Sequence, residues 1–181
     1  NIENTEYYLE LIAVFYIFFL NIKLKTNNLM RLDQTDKEIL DELQENARIT
    51  NAELAKRVKL SPSSTLERVK KLEASGLIDR YVTLLNSRKA GYTCMTFVEV
   101  TLARHGETPV ENFFKAISEM DEVLECHHIT GEGDFLLKIA TRDIPHYDKI
   151  ILHGLSALTN VQHLKTSVVL STFKHQTRLP I

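Results

Sequence analysis

The chain has 181 residues, of which 44% are hydrophobic and 25% charged, and its formal net charge is −2. These values are typical of globular proteins with one large or two small domains. A total charge near zero excludes overall basicity as a source of affinity for nucleic acids, so only a local group of cations would supply it. Cys94 and Cys126 lack metal-type spacing, which predicts reduced, partly buried thiols rather than a disulfide framework.

The first 29 residues do not fit this globular pattern. Residues 11–20 form an unbroken apolar and aromatic run, about half of the ~20 residues that a membrane-spanning helix needs. Glutamates and no basic residues precede this run, unlike the start of a signal peptide. We expect residues 1–29 to be an extension outside the native fold, with Met30 as the natural start, in a cytoplasmic protein without a membrane partner. A membrane-associating anchor is the competing interpretation.

Residues 30–50 predict a first helix. The stretch Thr35-Asp36-Lys37-Glu38 has the form of a capping box, in which two side chains satisfy free backbone N–H groups at the helix start. Ile39, Leu40 and Leu43 follow with helical spacing, and Asn46 is a suitable end. The periodicity therefore indicates one amphipathic helix before position 47.

Two short helices and a hairpin are predicted next, within a domain spanning residues 30–86. Residues 50–53 form a second capping box, and Ser61 followed by Pro62 suits the N-cap and first turn of the next helix. Gly76 is the kind of residue that ends a helix, because it adopts left-handed backbone angles easily. Residues 77–85 then predict a hairpin, or wing. Three helices and a wing indicate a winged helix-turn-helix that binds double-stranded DNA.

Charge is divided unevenly along this domain. Residues 30–55 contain seven acids and three bases, whereas residues 56–86 contain seven bases and three acids. The basic half includes the third helix. A local positive field of this kind favours contact with phosphates even when the whole chain is slightly acidic.

The third helix has one apolar and one polar side. A helical wheel places Thr65, Leu66, Val69 and Leu72 toward the other helices. Hydroxyls near the helix start suit base edges in the major groove, and long cations suit phosphates. A merely solvated polar face is the alternative. The predicted DNA-binding residues are Ser61, Ser63, Ser64, Thr65, Glu67, Arg68, Lys70, Lys71 and Arg80.

Residues 87–94, with Gly91, predict a hinge that leads into a second domain over residues 95–181. Its predicted elements are strand 95–102, a turn at His105-Gly106, a helix near 110–117, strands 123–129 and 135–141, helix 144–158 and strand 161–172. This βαββαβ order predicts an α+β, ferredoxin-like domain with helices on one face of an antiparallel sheet. The other face of the sheet also carries apolar residues at alternate strand positions. We therefore expect a second copy of the chain to cover this face in a two-fold dimer.

These two domains resemble the Lrp/AsnC (feast/famine) family of bacterial and archaeal regulators. The resemblance rests on the domain order and on the strings LSPSSTLERVKKLEASGLIDRY and TGEGDFLLK, and it extends from Arg31 to the C-terminus. It implies a transcriptional regulator whose C-terminal (RAM-type) domain forms homodimers, assembles them into an octamer or similar ring, and senses a small molecule, commonly an amino acid.

The family's effector pocket corresponds here to the loop Thr130, Gly131, Glu132, Gly133 and Asp134, with neighbouring positions near His127, Ile144 and residues 167–169. The two glycines would let backbone N–H groups approach a carboxylate, and Asp134 would pair with an α-ammonium group. From residue types alone, a plain hairpin turn in which Asp134 accepts backbone hydrogen bonds is the simpler interpretation. The resemblance favours the effector site.

Other classes of function find little support in the residues. Cys126, His127 and His128 are adjacent in a strand and point to alternate faces, so no metal site and no cofactor are expected. No nucleophile triad, phosphate loop or nucleotide fingerprint occurs, and we expect the chain not to be an enzyme. Two alternatives stay open: a sirohaem decarboxylase-like enzyme, which shares this two-domain fold, and an architectural DNA-binding protein without an effector.

Overall fold

The computed structural model describes residues 31–103 and 109–181. The predicted N-terminal extension and the predicted turn at His105-Gly106 lie outside these residues. The chain divides into two compact units: the first unit runs to Leu84 and also includes His175–Ile181, and the second is Leu85–Lys174. The last seven residues thus belong to the first unit, whereas the sequence predicts them in the second domain. No helix in the described ranges is long and apolar enough to span a membrane.

The first unit contains the three expected helices, α1 (Gln34–Glu45), α2 (Asn51–Arg57) and α3 (Pro62–Ala74). The prediction of Thr35 as the cap of α1 is wrong, because Asp33 occupies that position. The carboxylate of Asp33 accepts the backbone N–H of Asp36 at 2.8 Å, and Asp36 accepts that of Asp33 at 3.3 Å. This capping box has two aspartates, whose short side chains reach the free N–H groups directly. Asn46 ends α1, as predicted.

The predicted caps of α2 and α3 are present. Thr50 accepts the N–H of Glu53 at 3.2 Å, although the Glu53 carboxylate contacts Arg57 instead of reaching back. Lys59, with φ of +55°, lies in the tight turn between these helices, and the N–H of the following residue bonds back into α2. Ser61 caps α3.

The core of the first unit is built from apolar residues of all three helices. Ile39 and Leu40 of α1, Leu54 of α2 and Leu72 of α3 form one buried cluster together with Val58. Leu66, which the wheel assigned to the core side, is instead 44% exposed. Three short helices enclose only a narrow core, so a residue at the edge of the apolar side stays in contact with solvent.

Residues 77–86 do not form the predicted hairpin, because this described stretch contains no strand. It lacks an Asn-Gly or Asp-Gly pair that would favour a two-residue turn, and an isolated hairpin is only marginally stable. Its Tyr81 hydroxyl instead donates to Glu73 at 2.9 Å. Partial burial is the larger cause, and the hydrogen bond to the Glu73 carboxylate the smaller one, that together raise the pKa of Tyr81 to about 12.

The second unit has the predicted βαββαβ order. Its elements are β1 (Cys94–Leu102), α4 (Pro109–Ser118), β2 (Val123–His128), β3 (Phe135–Thr141), α5 (Ile144–His153), a 3₁₀ turn (Leu155–Ala157) and β4 (Val161–Val168). The strand order is β2-β3-β1-β4, and all pairs are antiparallel. Helix α5 ends at His153 and strand β4 at Val168, so both are shorter than the predicted helix 144–158 and strand 161–172. Helix α5 is capped at Gly154.

The two faces of the sheet differ in polarity. On the inner face, Val98, Leu137 and Ile139 are fully buried with Phe113 of α4 and Leu155 of the 3₁₀ turn. The outer face is mixed. In the strand register its Phe97 lies opposite Lys138 on β3 and Ser167 on β4, and Phe97 is 37% exposed. The helices thus cover only the inner face.

Candidate DNA interface and ligand loop

Helix α3 presents a polar face to solvent. Ser63, Ser64, Glu67, Lys70 and Lys71 are all exposed. Proline at the first position and the serine N-cap start the helix here, and the buried side chains of the opposite side hold it on α1 and α2. The structure therefore brings together five of the nine predicted DNA-binding residues on one accessible surface.

Hydroxyl groups cluster at the beginning of this face. The Ser61 side chain accepts the N–H of Ser64 at 3.2 Å and lies 2.9–3.0 Å from the hydroxyls of Ser63 and Ser64. Asn51 of α2 donates to the carbonyl of Pro62 at 2.8 Å. This contribution of Asn51, which fixes the start of α3 relative to α2, was not predicted from the sequence. Only its place beside a capping threonine pointed to a structural role.

Thr65 lies apart from the exposed face. It is completely buried, and its hydroxyl donates to the carbonyl of Ser61 at 3.0 Å. The helical wheel had placed Thr65 on the apolar side as well as among the DNA-binding residues. Its position in the structure fits only the first of these assignments.

The basic residues divide into paired arginines and free lysines. Nη1 of Arg68 donates to Asp33 and to Asp36, both at 2.7 Å, and Arg80 pairs with Asp79 at 3.1 Å. Two hydrogen bonds lower the pKa of Asp33: the larger effect comes from the backbone N–H of Asp36 and the smaller one from Arg68. Within the described ranges, the lysines of this basic half make no ion pair: Lys56, Lys59, Lys70 and Lys71. Lys56 and Lys59 were counted as basic but not predicted as site residues.

The predicted ligand loop connects β2 to β3. Thr130, Gly131 and Glu132 are exposed, and Gly131 has φ of +131°, a conformation that favours glycine. Gly133 is buried, and a Cβ atom there would lie 2.3 Å from Cγ of Glu99. Glycine is thus favoured for different reasons at the two positions: backbone angles at Gly131 and close packing against the Glu99 side chain at Gly133.

Asp134 ties this loop to the neighbouring strand. Its backbone N–H donates to the carbonyl of Val100 at 2.9 Å, and its carboxylate Oδ2 accepts the N–H of Leu102 at 2.8 Å. The carboxylate is therefore used at least in part as the turn interpretation predicted. Any contact with a ligand has to be made by a carboxylate that is already held in place.

Cysteine and histidine side chains form no metal centre in the part of the chain that the structure describes. Both cysteines are free thiols, and burial raises the pKa of the Cys126 thiol. His127 lies 3.2 Å from Glu125, and His146 lies 3.1 Å from Glu122. These histidines contact separate carboxylates instead of converging on one point.

A helix-turn-helix unit followed by a βαββαβ unit defines a DNA-binding transcriptional regulator with a ligand-binding domain. Residues 32–79 match the model of winged helix-turn-helix DNA-binding domains, and residues 95–179 match that of the Lrp/AsnC ligand binding domain. The chain belongs to the Lrp/AsnC family. It is 41% identical over 150 residues to the leucine-responsive regulatory proteins of Klebsiella pneumoniae and Escherichia coli K12, covering 83% of this chain and 92% of each relative.

Solved structures give the same assignment. The complex of a Neisseria meningitidis transcriptional regulator with L-methionine is 38% identical, with a TM-score of 0.80 over 83% of this chain and 97% of that one. An AsnC family regulator from Agrobacterium tumefaciens is 31% identical, with a TM-score of 0.77 over 82% and 97%. The relatives are regulators and not enzymes, which confirms the predicted class and disfavours the decarboxylase alternative.

Arg68 is expected to support folding, because it joins the start of α1 to α3. Removing it in Arg68→Ala leaves Asp36, which is only 7% exposed, without its cationic partner. We expect the melting temperature to fall by roughly 5 °C. Lys71→Ala on the same helix is the matched control and should melt like the wild type. Equal melting temperatures for Arg68→Ala and Lys71→Ala would contradict this role.

Proposed function

We propose that this protein reads operator DNA with the exposed face of α3 and that a free amino acid controls its activity. The observation that carries the DNA-binding part is the group of exposed lysines, without an ion-pair partner among the described residues, beside exposed hydroxyls on one helix face. Ser63, Ser64 and Glu67 are in position to meet base edges, while Lys70 and Lys71 neutralise phosphates. A DNA-binding regulator has to be in the same compartment as the chromosome, and we therefore propose that the protein is cytoplasmic.

The proposed set of phosphate-contacting residues differs from the sequence prediction, because it relies on lysines and not on Arg68. The two carboxylates already bonded to Arg68 compete with any phosphate for its guanidinium group. Exposed lysines have no such competitor within the described residues, so we add Lys56 and Lys59 to the phosphate-contacting set. Thr65 is left out because its hydroxyl is buried.

Lys71→Ala and Ser64→Ala should affect DNA binding in different ways. Loss of one phosphate contact in Lys71→Ala weakens binding on all sequences and reduces the slope of log K against log salt by about one. Ser64→Ala should change sequence preference more than overall affinity. Mobility-shift titrations at several salt concentrations measure both effects. Lys115→Ala, which removes an exposed lysine of α4, is the control, and a wild-type slope for Lys71→Ala would exclude this docking.

We also propose a two-fold homodimer formed through the outer face of the sheet. Phe97 and Leu136 give this face an apolar centre, and the ion pair between Glu125 and Lys138, 2.7 Å long, lies on the same face. An isologous contact would cover the apolar centre and present two copies of α3 to half-sites about 34 Å apart. Dimers would then assemble into an octamer or similar ring, which could bend the operator.

Phe97→Asp should disrupt this dimer, because it places a charge at the centre of the proposed contact. Sedimentation velocity should give a smaller species than the wild type at equal concentration. Phe97→Leu, which keeps the side chain apolar, should retain the wild-type assembly. If Phe97→Asp sediments like the wild type, the outer face is not the interface. The largest species present in the wild type decides whether a ring forms.

For the effector, we propose that the loop of residues 130–134 binds the charged ends of an amino acid. Support comes from the family assignment, from the L-methionine bound to the Neisseria regulator and from the exposed, glycine-containing backbone of this loop. Asp134 would pair with the α-ammonium group through the part of its carboxylate that faces away from Leu102. Binding would shift the balance between assemblies, because a ligand acts through its different affinities for two states.

The substitution Asp134→Asn removes the carboxylate charge but keeps the hydrogen bond to Leu102. The amide oxygen still accepts the N–H of Leu102, so the variant should melt like the wild type and yet lose the effector response. Asp134→Ala should lose both stability and response. A thermal-shift panel of free amino acids, beginning with L-methionine and L-leucine, identifies the effector, since a ligand at a hundredfold excess over Kd stabilises by about 2.7 kcal/mol.

Two results of this experiment would count against the proposal. Wild-type ligand affinity of Asp134→Asn in calorimetry would mean that the carboxylate charge is not used for binding. A panel in which no amino acid raises the melting temperature would favour an architectural DNA-binding protein without an effector.

A further inference from the structure

The last residues of the chain are bonded to α1 of the first unit. The side-chain amide of Gln44 pairs with both backbone groups of Leu179: its Oε1 accepts the N–H at 2.7 Å, and its Nε2 donates to the carbonyl at 3.3 Å. Next to it, Asp41 accepts Nη2 and Nε of Arg178 at 2.9 and 3.3 Å. An amide that satisfies both main-chain groups of one residue is a way to recognise an extended peptide.

A groove continues from these polar contacts. Its volume is about 490 Å³, and it lies between α1 and the segment that follows α3. The apolar side chains that line it include Leu40, Leu43, Leu77, Val82 and Leu84, and Leu179 and Ile181 of the C-terminus form part of its wall. Leu179 is nevertheless 67% exposed. The segment is therefore held mainly by hydrogen bonds and an ion pair at the surface, and such contacts are individually weak.

We propose that this groove is a peptide-binding surface for residues 178–181 of the same chain, which form a releasable C-terminal latch. Its specificity is for a basic residue followed by an apolar one in an extended backbone, because Asp41 takes the cation and Gln44 takes the next peptide unit. Residues 169–177 join β4 to this segment along the chain.

Hydrogen exchange with mass spectrometry tests the latch on the full chain. Deletion of residues 178–181 should speed exchange in residues 40–46, at the C-terminal end of α1, by roughly threefold to tenfold, because the contacts that hold this end are lost. Residues 135–141 of β3 serve as the internal control and should be unchanged. The deletion is compared with two substitutions in the intact chain, Gln44→Ala and Gln34→Ala.

Gln44→Ala should reproduce the faster exchange, and Gln34→Ala, which changes the same residue type on the same helix without touching the C-terminus, should not. Alanine favours helix more than glutamine does, so helix propensity works against the expected effect. A synthetic peptide of residues 174–181 should restore slow exchange in the deleted chain, and a scrambled peptide should not.

Three outcomes would overturn the proposal. The first is unchanged exchange in residues 40–46 after deletion. The second is equal exchange in Gln44→Ala and Gln34→Ala. The third is protection that disappears on dilution, because a latch within one chain does not depend on concentration, whereas a segment supplied by a second copy does.

Discussion

Nη1 of Arg68 donates to two aspartates at once, and the arrangement of the first unit depends on this contact. Asp33 and Asp36 form the capping box of α1, so the same carboxylates start one helix and hold another. Arg68 is directed toward α1 and lies one helical turn from Ser64 and Lys71, at the edge of the exposed polar face of α3. An ion pair at the edge of the proposed DNA-reading face therefore joins α3 to the start of α1.

Charge in the basic half of the first unit consequently serves two purposes. Three arginines are engaged with acids of the same unit: Arg57 with Glu42 and Glu53, Arg68 with the capping box, and Arg80 with Asp79. Planar guanidinium groups suit such fixed pairs, whereas the flexible ammonium groups of lysine suit contacts to phosphates without fixed geometry. A count of cations along the sequence overstates the number available to DNA, because it includes those already bonded to carboxylates.

The ligand-binding unit shows a similar double use of a residue at its loop. Asp134 closes the turn after β2 and accepts the N–H of Leu102 at the end of β1. A loop fixed in this way costs little further ordering when it binds a ligand, which favours affinity for a small effector. The proposed amino-acid contact and the observed hydrogen bond are therefore compatible, and together they explain why an aspartate suits this position.

The sequence by itself determined the three helices of the first unit and the βαββαβ order of the second, because their signals are local. Serine and threonine caps, Pro62, Gly76 and the periodicity of apolar residues each act within a few positions, and these predicted the three helices and the βαββαβ order. Only the tertiary structure decided which side chains remain available. Arg68 meets Asp33 across 35 positions, Leu102 meets Asp134 across 32, and Gln44 meets Leu179 across 135. Such partners are brought together by packing of the whole chain, and no local spacing encodes them.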